Sequence, residues 1–590
     1  MANEKSHNHK EKISKTLRPT EDKKSKKSRQ VSEAMPTRAA KSKISSSNSQ
    51  DKSSSGKIAN KIIKNLSEFS TLFRDQHDVA YIAPLKSGRK IIPIESSAFE
   101  NYVGSVAFNE YGRSLSDNSI KKIIIALKGL AIYDKHAKMN HLEVRHYREK
   151  NGTLWYDLGG FAVKIVPDNG WEIISDPPII FKRFSHQEPQ TNPESDGSIE
   201  LLHDYVNIED ECDWLLFQVF AISCFIPNFP KPLLVLNGSQ GSGKSTPLRI
   251  LKALIDPSKL KSTPIPKSIS ELARVANHHS ILFFDNLSKM PMDVSDNLCR
   301  LSTGDGFSKR KLYTDDDEIV YELQRPIMFN GINQIITQAD LLDRSILIEL
   351  ERIPDDKRKT EDEIWTGFYR DRPFILGAIF DILSKAMAIY PTVGLKKLPR
   401  MADFAKWGYA IAESMKGYSG DDFVGAYDIV LEKQNDEALN SSPLATFIIW
   451  FMRDKDSWCG TATNLYKDFE DTKCSSKRVD NVELFKLEDN PMWPKDPSSL
   501  GRLLTRIATN LKTVGFEVVK FTERNERKIK ITRLPWCRYK KAKAKFYLTE
   551  DAEQFYRNYY NDIDGVIDPK CLKQTKMDLK LKKWGLGDYP

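Results

Sequence analysis

The stretch "LLVLNGSQGSGKSTPLRIL", residues 233–251, decides the fold. Leu233 to Leu236 form an apolar run with the character of a strand buried on both faces. Gly238 then opens a loop in which four residues separate it from Gly243-Lys244-Ser245, and an apolar-periodic helix follows. Each residue type has a physical task. Glycines let backbone N–H groups turn inward around an anion, and the helix N-terminus adds its dipole. Lys244 supplies a cation for β- and γ-phosphates, and the Ser245 hydroxyl is a ligand for Mg²⁺. Gly238, Ser239, Gln240, Gly241, Ser242, Gly243, Lys244, Ser245 and Thr246 are therefore read as a nucleotide-phosphate cradle. No NKxD base-reading motif follows, which sets GTP aside and leaves ATP with Mg²⁺ as the expected cofactors.

Three more strands stand behind that loop. "SILFFDN" (280–286) delivers Asp285 and Asn286, "RPIMFN" (325–330) ends in Asn330, and "SILIEL" (345–350) follows Arg344. Continuous apolar strands alternating with helices indicate a mostly parallel sheet covered on both faces. Asp285 reads as the carboxylate on the Mg²⁺ side, with a helix cap as the alternative. Asn330 is a polar group at the edge where parallel sheets bind ligands, or else a turn residue. Arg344 taken alone is a surface ion pair. Asn286 occupies the position where many ATPases carry a glutamate. An amide orients water and does not take its proton, so either Asp285 does double duty or a carboxylate from elsewhere serves.

The order phosphate loop, "FFDNL", a basic hairpin, "FNGI" and "LLDRSILIEL" resembles AAA+ ATPases of the helicase branch. It is most similar to superfamily 3 and minichromosome-maintenance-like helicases, including replication ATPases of phages, plasmids and integrated elements. The wording "LCRLSTGDGFSKRKLYTDDDEIVYELQRPIMFNGI" (298–332) carries much of that similarity. The match spans about residues 199–420. It implies that Asn330 senses the γ-phosphate, that Arg344 is an arginine finger on a neighbour's ATP, and that the chain forms a ring of six. It also implies a lid arginine at Arg400, near the nucleotide. The catalytic set is then Lys244, Asp285, Asn286, Asn330 and Arg344, with Ser245 and Asp285 on the metal. In such helicases a hairpin points into the central channel and grips DNA. Here residues 306–324 would be that hairpin, with Lys309, Arg310 and Lys311 as contacts. The tip "TDDDE" is awkward for DNA, which favours Lys309 and Arg310; an ordinary solvated hairpin is the alternative.

Outward from this core, the expected class is α/β: a P-loop AAA+ core (199–353), a helical lid (354–440), a small N-terminal α+β domain (75–185) and a C-terminal winged-helix-like domain (443–534). A polar linker is read at 185–198, a disordered basic tail at 1–65 and a Lys-rich extension at 535–590. In the N-terminal domain, Asp117 or Ser119 is the expected cap of a helix. His141 and His146 read as surface residues. In the C-terminal domain, "DPSSLGRLLTRIATNLKTVG" (496–515) has a helical apolar stripe with Ser498 as the expected cap, and "FEVVKFTERNERKIKITRL" (516–534) reads as a hairpin turning near Asn525. Arg502, Arg506, Lys520, Arg524, Arg527 and Lys528 are the expected DNA contacts, with a protein-binding winged helix as the alternative.

Charge bears on the partner. Residues 1–60 hold 15 Lys/Arg against 6 Asp/Glu, a balance of +9, so the formal charge of +10 leaves +1 for the rest. A polyanion must then be met by local patches or by the tail. The seven cysteines are odd in number and include no CxxC pair, which fits a reducing compartment. No signal peptide is read. The most apolar run, 214–226, stops at Pro227 and is too short for a bilayer. The functional reading is an ATP-dependent DNA helicase or replication-initiation ATPase on single-stranded or forked DNA. It would be cytoplasmic, nucleoid-associated if prokaryotic, a homo-oligomer working with other replication proteins and no membrane. The alternative is a DNA-binding switch ATPase that loads partners without unwinding.

Overall fold

In the computed structural model, residues 47–84, 91–287, 290–304, 307–310, 318–321, 323–331, 336, 338–452, 455–476 and 493–538 are described. The chain begins with α1 (Ser47–Glu68), β1 (Ser70–Arg74), β2 (Ala80–Pro84), β3 (Ile92–Pro93), α2 (Ser97–Tyr111), α3 (Asp117–Tyr133) and β4 (Lys138–Met139). Helix α1 reaches into the range read as a disordered tail. Ala59, Ile62 and Leu66 explain this: they lie on one helical stripe and are buried against Ile123 and Leu127 of α3. Ser116, rather than Asp117 or Ser119, caps α3, accepting from the Ser119 N–H.

The meander β5 (His146–Arg148), β6 (Leu154–Asp157), β7 (Ala162–Val166) and β8 (Gly170–Ile174) follows. Leu154, Tyr156, Val163 and Ile165 belong to the same buried cluster as Leu234 and Leu236 of the strand before the glycine loop. Residues 75–185 thus contribute to several separate buried clusters, where the sequence suggested one small domain. The junction is polar and buried. Arg145, with φ 66°, donates from Nε to Asp256 Oδ1 (3.0 Å), from Nη1 to the Asp157 carbonyl (3.2 Å) and from Nη2 to the Pro257 (2.9 Å) and Glu188 carbonyls. This over-determined set holds a non-glycine residue in the left-handed region. Asp256 also accepts from Lys252 Nζ (2.7 Å) and the Ser280 N–H (3.0 Å). Burial alone would push its carboxyl up, but Lys252, His279 and Arg145 hold it well below the usual range. His146 is buried between Tyr156 and Phe225, with ring centroids at 5.0 and 5.5 Å, and burial pulls its pKa down to about 3, so it is not a surface residue. The stretch read as a linker is packed too: Gln190 donates to the Leu254 carbonyl (2.7 Å), and the Glu194 N–H to the Pro373 carbonyl (3.0 Å).

Next come α4 (Glu211–Ser223), β9 (Leu233–Gly238), α5 (Ser245–Ile255), α6 (Ile269–His278), β10 (Leu282–Leu287), α7 (Met292–Thr303), β11 (Phe307–Arg310), β12 (Glu318–Tyr321), β13 (Ile327–Gly331), α8 (Ala339–Leu342) and β14 (Ser345–Leu350). The central sheet is parallel, in the order β10-β13-β9-β14. Its alternation is visible along β9. Leu234 and Leu236 enter the cluster that holds α4 and α5, while Leu233 and Val235 enter the cluster with Leu272, Phe284 and Phe329. Both faces are therefore hydrocarbon, as a two-sided sheet requires.

Helices α9 (Glu361–Ile389), α10 (Ala402–Ser414) and α11 (Gly420–Asn440) close the first of those clusters through Phe380, Trp407 and Phe423. The chain ends its described part in α12 (Pro443–Phe451), β15 (Ser457–Thr461), α13 (Ala462–Ser476), α14 (Pro497–Thr513), β16 (Phe516–Glu523) and β17 (Glu526–Arg533), with antiparallel strand order β15-β17-β16. Leu500, Leu504 and Leu511 of α14 pack on Phe447, Phe516 and Ile531. Asp496, with a reciprocal Ser499 partner and Pro497 at the first helical position, caps α14 in place of Ser498. Arg524 and Asn525, at φ 50° and 63°, make the two-residue turn that joins β16 to β17.

Removing Arg145 leaves Asp256 buried with one cation fewer. Arg145→Ala is expected to lower stability by about 3–5 kcal/mol, read by urea unfolding. Because the Asp256 pKa is depressed in the fold, its contribution is full above the unfolded carboxyl value of about 3.9 and is lost as pH falls through the lower folded value. The deficit should therefore be the same at neutral pH and at mildly acidic pH.

Candidate functional site

The parallel sheet brings the ends of β9, β10 and β13 side by side, and three polar side chains meet there. Asn330 Nδ2 donates to Ser245 Oγ (3.1 Å), and Ser245 Oγ donates to Asp285 Oδ1 (2.9 Å). Asn330 Oδ1 in turn accepts from the Asn286 N–H (2.7 Å). Asn330 is 2% exposed, so these bonds answer a desolvated amide. The sequence placed Ser245, Asp285 and Asn330 in one site, and the fold brings them together.

Asn286 enters differently. The β10–β13 register shifts between Phe284 and Leu287, and Asn286 adopts φ 57° within that bulge. Asparagine tolerates the left-handed region better than most residues, whereas a glutamate gains nothing there. The amide at 286 therefore suits a backbone conformation, and its N–H is what the site uses.

Lys244 Nζ donates to the carbonyls of Gly238 and Ser239 (both 2.7 Å) and lies 3.3 Å from Ser242 Oγ. Burial pulls its pKa below the ordinary lysine value. An ammonium folded into a glycine-rich loop at a helix N-terminus is the donor set that fits phosphate oxygens. Ser245 and Asp285 offer a hydroxyl and a carboxylate, hard oxygen ligands suited to Mg²⁺.

Two neighbours have no counterpart in the sequence reading. Arg249, four residues after Ser245 on α5, points Nη2 at Asp285 Oδ2 (3.7 Å) and Nη1 at Glu361 Oε1 (3.0 Å). The i,i+4 relation to Ser245 was the available signal; the pairing with Glu361 is tertiary and left none.

Arg344 lies at the other end of the sheet. Its carbonyl accepts from the Leu233 N–H (2.8 Å), and the β14–β9 register runs from Ser345–Leu233 to Leu350–Gly238. Six residue steps of about 3.3 Å separate Arg344 from Leu350, the partner of Gly238, so its own glycine loop is about 20 Å away, beyond the reach of one side chain. The side chain is 16% exposed and its Nε lies 3.4 Å from Asp340 Oδ2. Arg400 joins it there, bonding Asp343 Oδ2 (2.9 Å) and Asp340. Arg400 therefore stands away from its own glycine loop, where two acidic partners hold it beside Arg344. Burial pushes the Asp340 carboxyl up, but the Cys299 thiol and both guanidiniums bring it below its usual value.

Lys309 and Arg310 fall on β11, paired with Ile319 and Glu318 of β12, while Lys311 lies outside the described residues. Arg502 and Arg506 are exposed on α14, and Arg524 and Arg527 are exposed at the hairpin turn. Lys520 is engaged by α14, donating to the Gly501 carbonyl (2.6 Å) and to Thr505 Oγ1. Lys528 pairs with Glu523 (2.8 Å). The part of the basic tail up to residue 46 and the Lys-rich stretch from 539 lie outside the described residues.

Residues 198–437 match the family model described as the actinomycete integrative conjugative element replication protein. Residues 444–544 match the model of that protein's C-terminal domain. Neither model alone spans half of the chain; over residues 198–437 and 444–544 the chain is similar to this family of replication proteins. The resemblance to replication ATPases of integrated elements is thereby borne out. A comparison with curated proteins gave no match. Among solved structures, the chain is similar to an apo form of the NrS-1 C-terminal region, with 13% identity, 81% of this chain and 99% of that chain covered, and a TM-score of 0.38. A JCV helicase structure matches with 15% identity over 39% of this chain and 63% of that one, at a TM-score of 0.21. Likenesses this distant carry no weight for function.

The bulge gives a direct test. Asn286→Gly should preserve stability and ligand binding, since glycine adopts positive φ freely. Asn286→Val should cost about 1–2 kcal/mol, the penalty for a side chain forced into the left-handed region. Thermal unfolding of the two variants reads the difference; equal stability would remove the conformational account of Asn286.

Proposed function

We propose that this protein is an ATP-dependent motor that works as a ring-shaped oligomer on DNA. The observation that carries the reading is the chain of hydrogen bonds from Asn330 through Ser245 to Asp285, beside a lysine folded into a glycine loop. Ser245 and Asp285 would hold Mg²⁺, which when bound neutralises charge on the β- and γ-phosphates. Lys244 would exchange its loop carbonyls for phosphate oxygens. Asn330, already aimed at the Ser245 hydroxyl, would sense the terminal phosphate. Asp285 is the carboxylate available for the attacking water's proton in this set, which favours slow or partner-stimulated turnover.

The distance of Arg344 from its own loop supports a role across a subunit seam, where it would stabilise charge on a neighbour's transferring phosphate. Helices α9 to α11 take the part of a lid. The order α12-β15-α13-α14-β16-β17 is that of a winged helix, with α14 lying in a groove, Arg502 and Arg506 against the phosphates that flank it, and the β16–β17 turn presenting Arg524 and Arg527 to backbone phosphates. Lys520 and Lys528 serve that surface less, being held by α14 and Glu523. Lys309 and Arg310 remain the contacts expected of a channel hairpin. The second reading, a DNA-binding switch that loads partners without unwinding, is favoured by Asn286 standing where a water-activating glutamate would be.

An ATPase assay with and without single-stranded DNA, followed by strand displacement on a forked duplex, separates the two. The motor reading predicts stimulation with displacement; stimulation without displacement selects the switch. Arg502→Ala and Arg506→Ala should each weaken DNA binding evenly across sequences and lower the salt slope by about one. An unchanged salt slope in both variants would remove α14 from the DNA surface.

A further inference from the structure

Between β14 and α9 the chain runs as a strap, residues 351–360, along the glycine loop. The Ile353 N–H donates to the Gly241 carbonyl (3.4 Å). The Ile353 side chain covers Gly243 so closely that a Cβ there would meet its Cδ1 at 2.8 Å. Farther along, Arg358 brings Nη2 to 3.4 Å from where a Cβ on Gly241 would stand. Gly241 has φ 86°, so at this position the loop exposes bare backbone to a guanidinium.

We propose that Arg358 contacts the polyphosphate of the nucleotide bound by its own chain. The inference rests on the nucleotide reading above. A guanidinium at the middle of a phosphate-binding loop, with no side chain between, is placed for charge-assisted hydrogen bonds to phosphate oxygens. Its ion partner is Asp355, with Oδ1 at 3.0 Å, and the Asp355 side chain is 79% exposed. Exposed pairs of this kind contribute about 0–1 kcal/mol, so a triphosphate with several negative charges displaces the carboxylate readily. Arg352 touches the same Asp355 oxygen at 4.0 Å and its side chain is 66% exposed, which makes it a matched control. Arg400, the lid arginine expected from sequence, is held at the far end of the sheet by Asp340 and Asp343. Arg358 therefore supplies in the same chain the contact that Arg400 does not.

Fluorescent mant-ATP titrated with Mg²⁺ into the full chain, with unlabelled ATP as competitor, reads the contact. Arg358→Gln should raise the Kd about tenfold, the size of one charge-assisted hydrogen bond. Arg352→Gln should leave Kd within about twofold of wild type, and Asp355→Asn should lower it, because a competitor for Arg358 is gone. If Asp355→Asn weakens binding as much as Arg358→Gln, the pair merely shapes the strap and the proposal is overturned. It is also overturned, alone, if Arg358→Gln binds as wild type does while Lys244→Ala loses binding. No binding by the wild-type chain overturns the nucleotide reading and this inference with it.

Discussion

Three polar side chains, Ser245, Asp285 and Asn330, satisfy one another at the edge of a sheet whose body is hydrocarbon. The rest of the site is arranged around that chain of bonds, which runs from Asn330 through Ser245 to Asp285. It needs β13 between β9 and β10, so that Asn330 stands beside both the loop helix and the aspartate strand. It also needs the bulge that turns the Asn286 N–H onto Asn330 Oδ1. The residue that looked like a missing catalytic acid is thereby explained as a fitting choice for a left-handed backbone position, which any account of turnover must respect.

Strand β14 links two kinds of contact. Its C-terminal end continues into the strap over the glycine loop, and Arg344 precedes its N-terminal end. Register with β9 keeps Arg344 about 20 Å from the glycine loop. One rigid strand thus leads into a contact with the glycine loop at one end and holds a guanidinium out of reach of that loop at the other. In this structure Asp340 compensates both Arg344 and Arg400, so a neighbour's triphosphate would have to compete with a carboxylate already held by two cations. The buried Arg145–Asp256–Lys252 set fastens the other end of α5 to the N-terminal meander, which fixes the helix whose first turn forms the site.

Much of this was legible in the sequence wherever local pattern suffices. The loop, the four parallel strands, α14 and the Arg524–Asn525 turn all follow from apolar periodicity and from residues with strong backbone preferences. What stayed hidden depends on pairing between distant segments. Residues 146–174 alternate like any small sheet, and nothing local says that Tyr156 will face Phe225 and Phe380. The same contact buries His146. Arg400 and Arg358 are both arginines in polar surroundings, and only the fold shows which one lies at the loop. The α14 cap shows a smaller failure: "DPSS" offers three capping side chains, and Pro497 at the first helical turn was the signal favouring Asp496.

The central claim is that each nucleotide is served by two chains, with Lys244 from one and Arg344 from the next. Mixing Lys244→Ala with Arg344→Ala chains, each inactive alone, tests it most directly. Shared sites predict that ATP turnover returns in the mixture and is greatest at intermediate ratios, where intact seams form. Turnover that stays absent at every ratio, with both variants folded and assembled, would contradict the account.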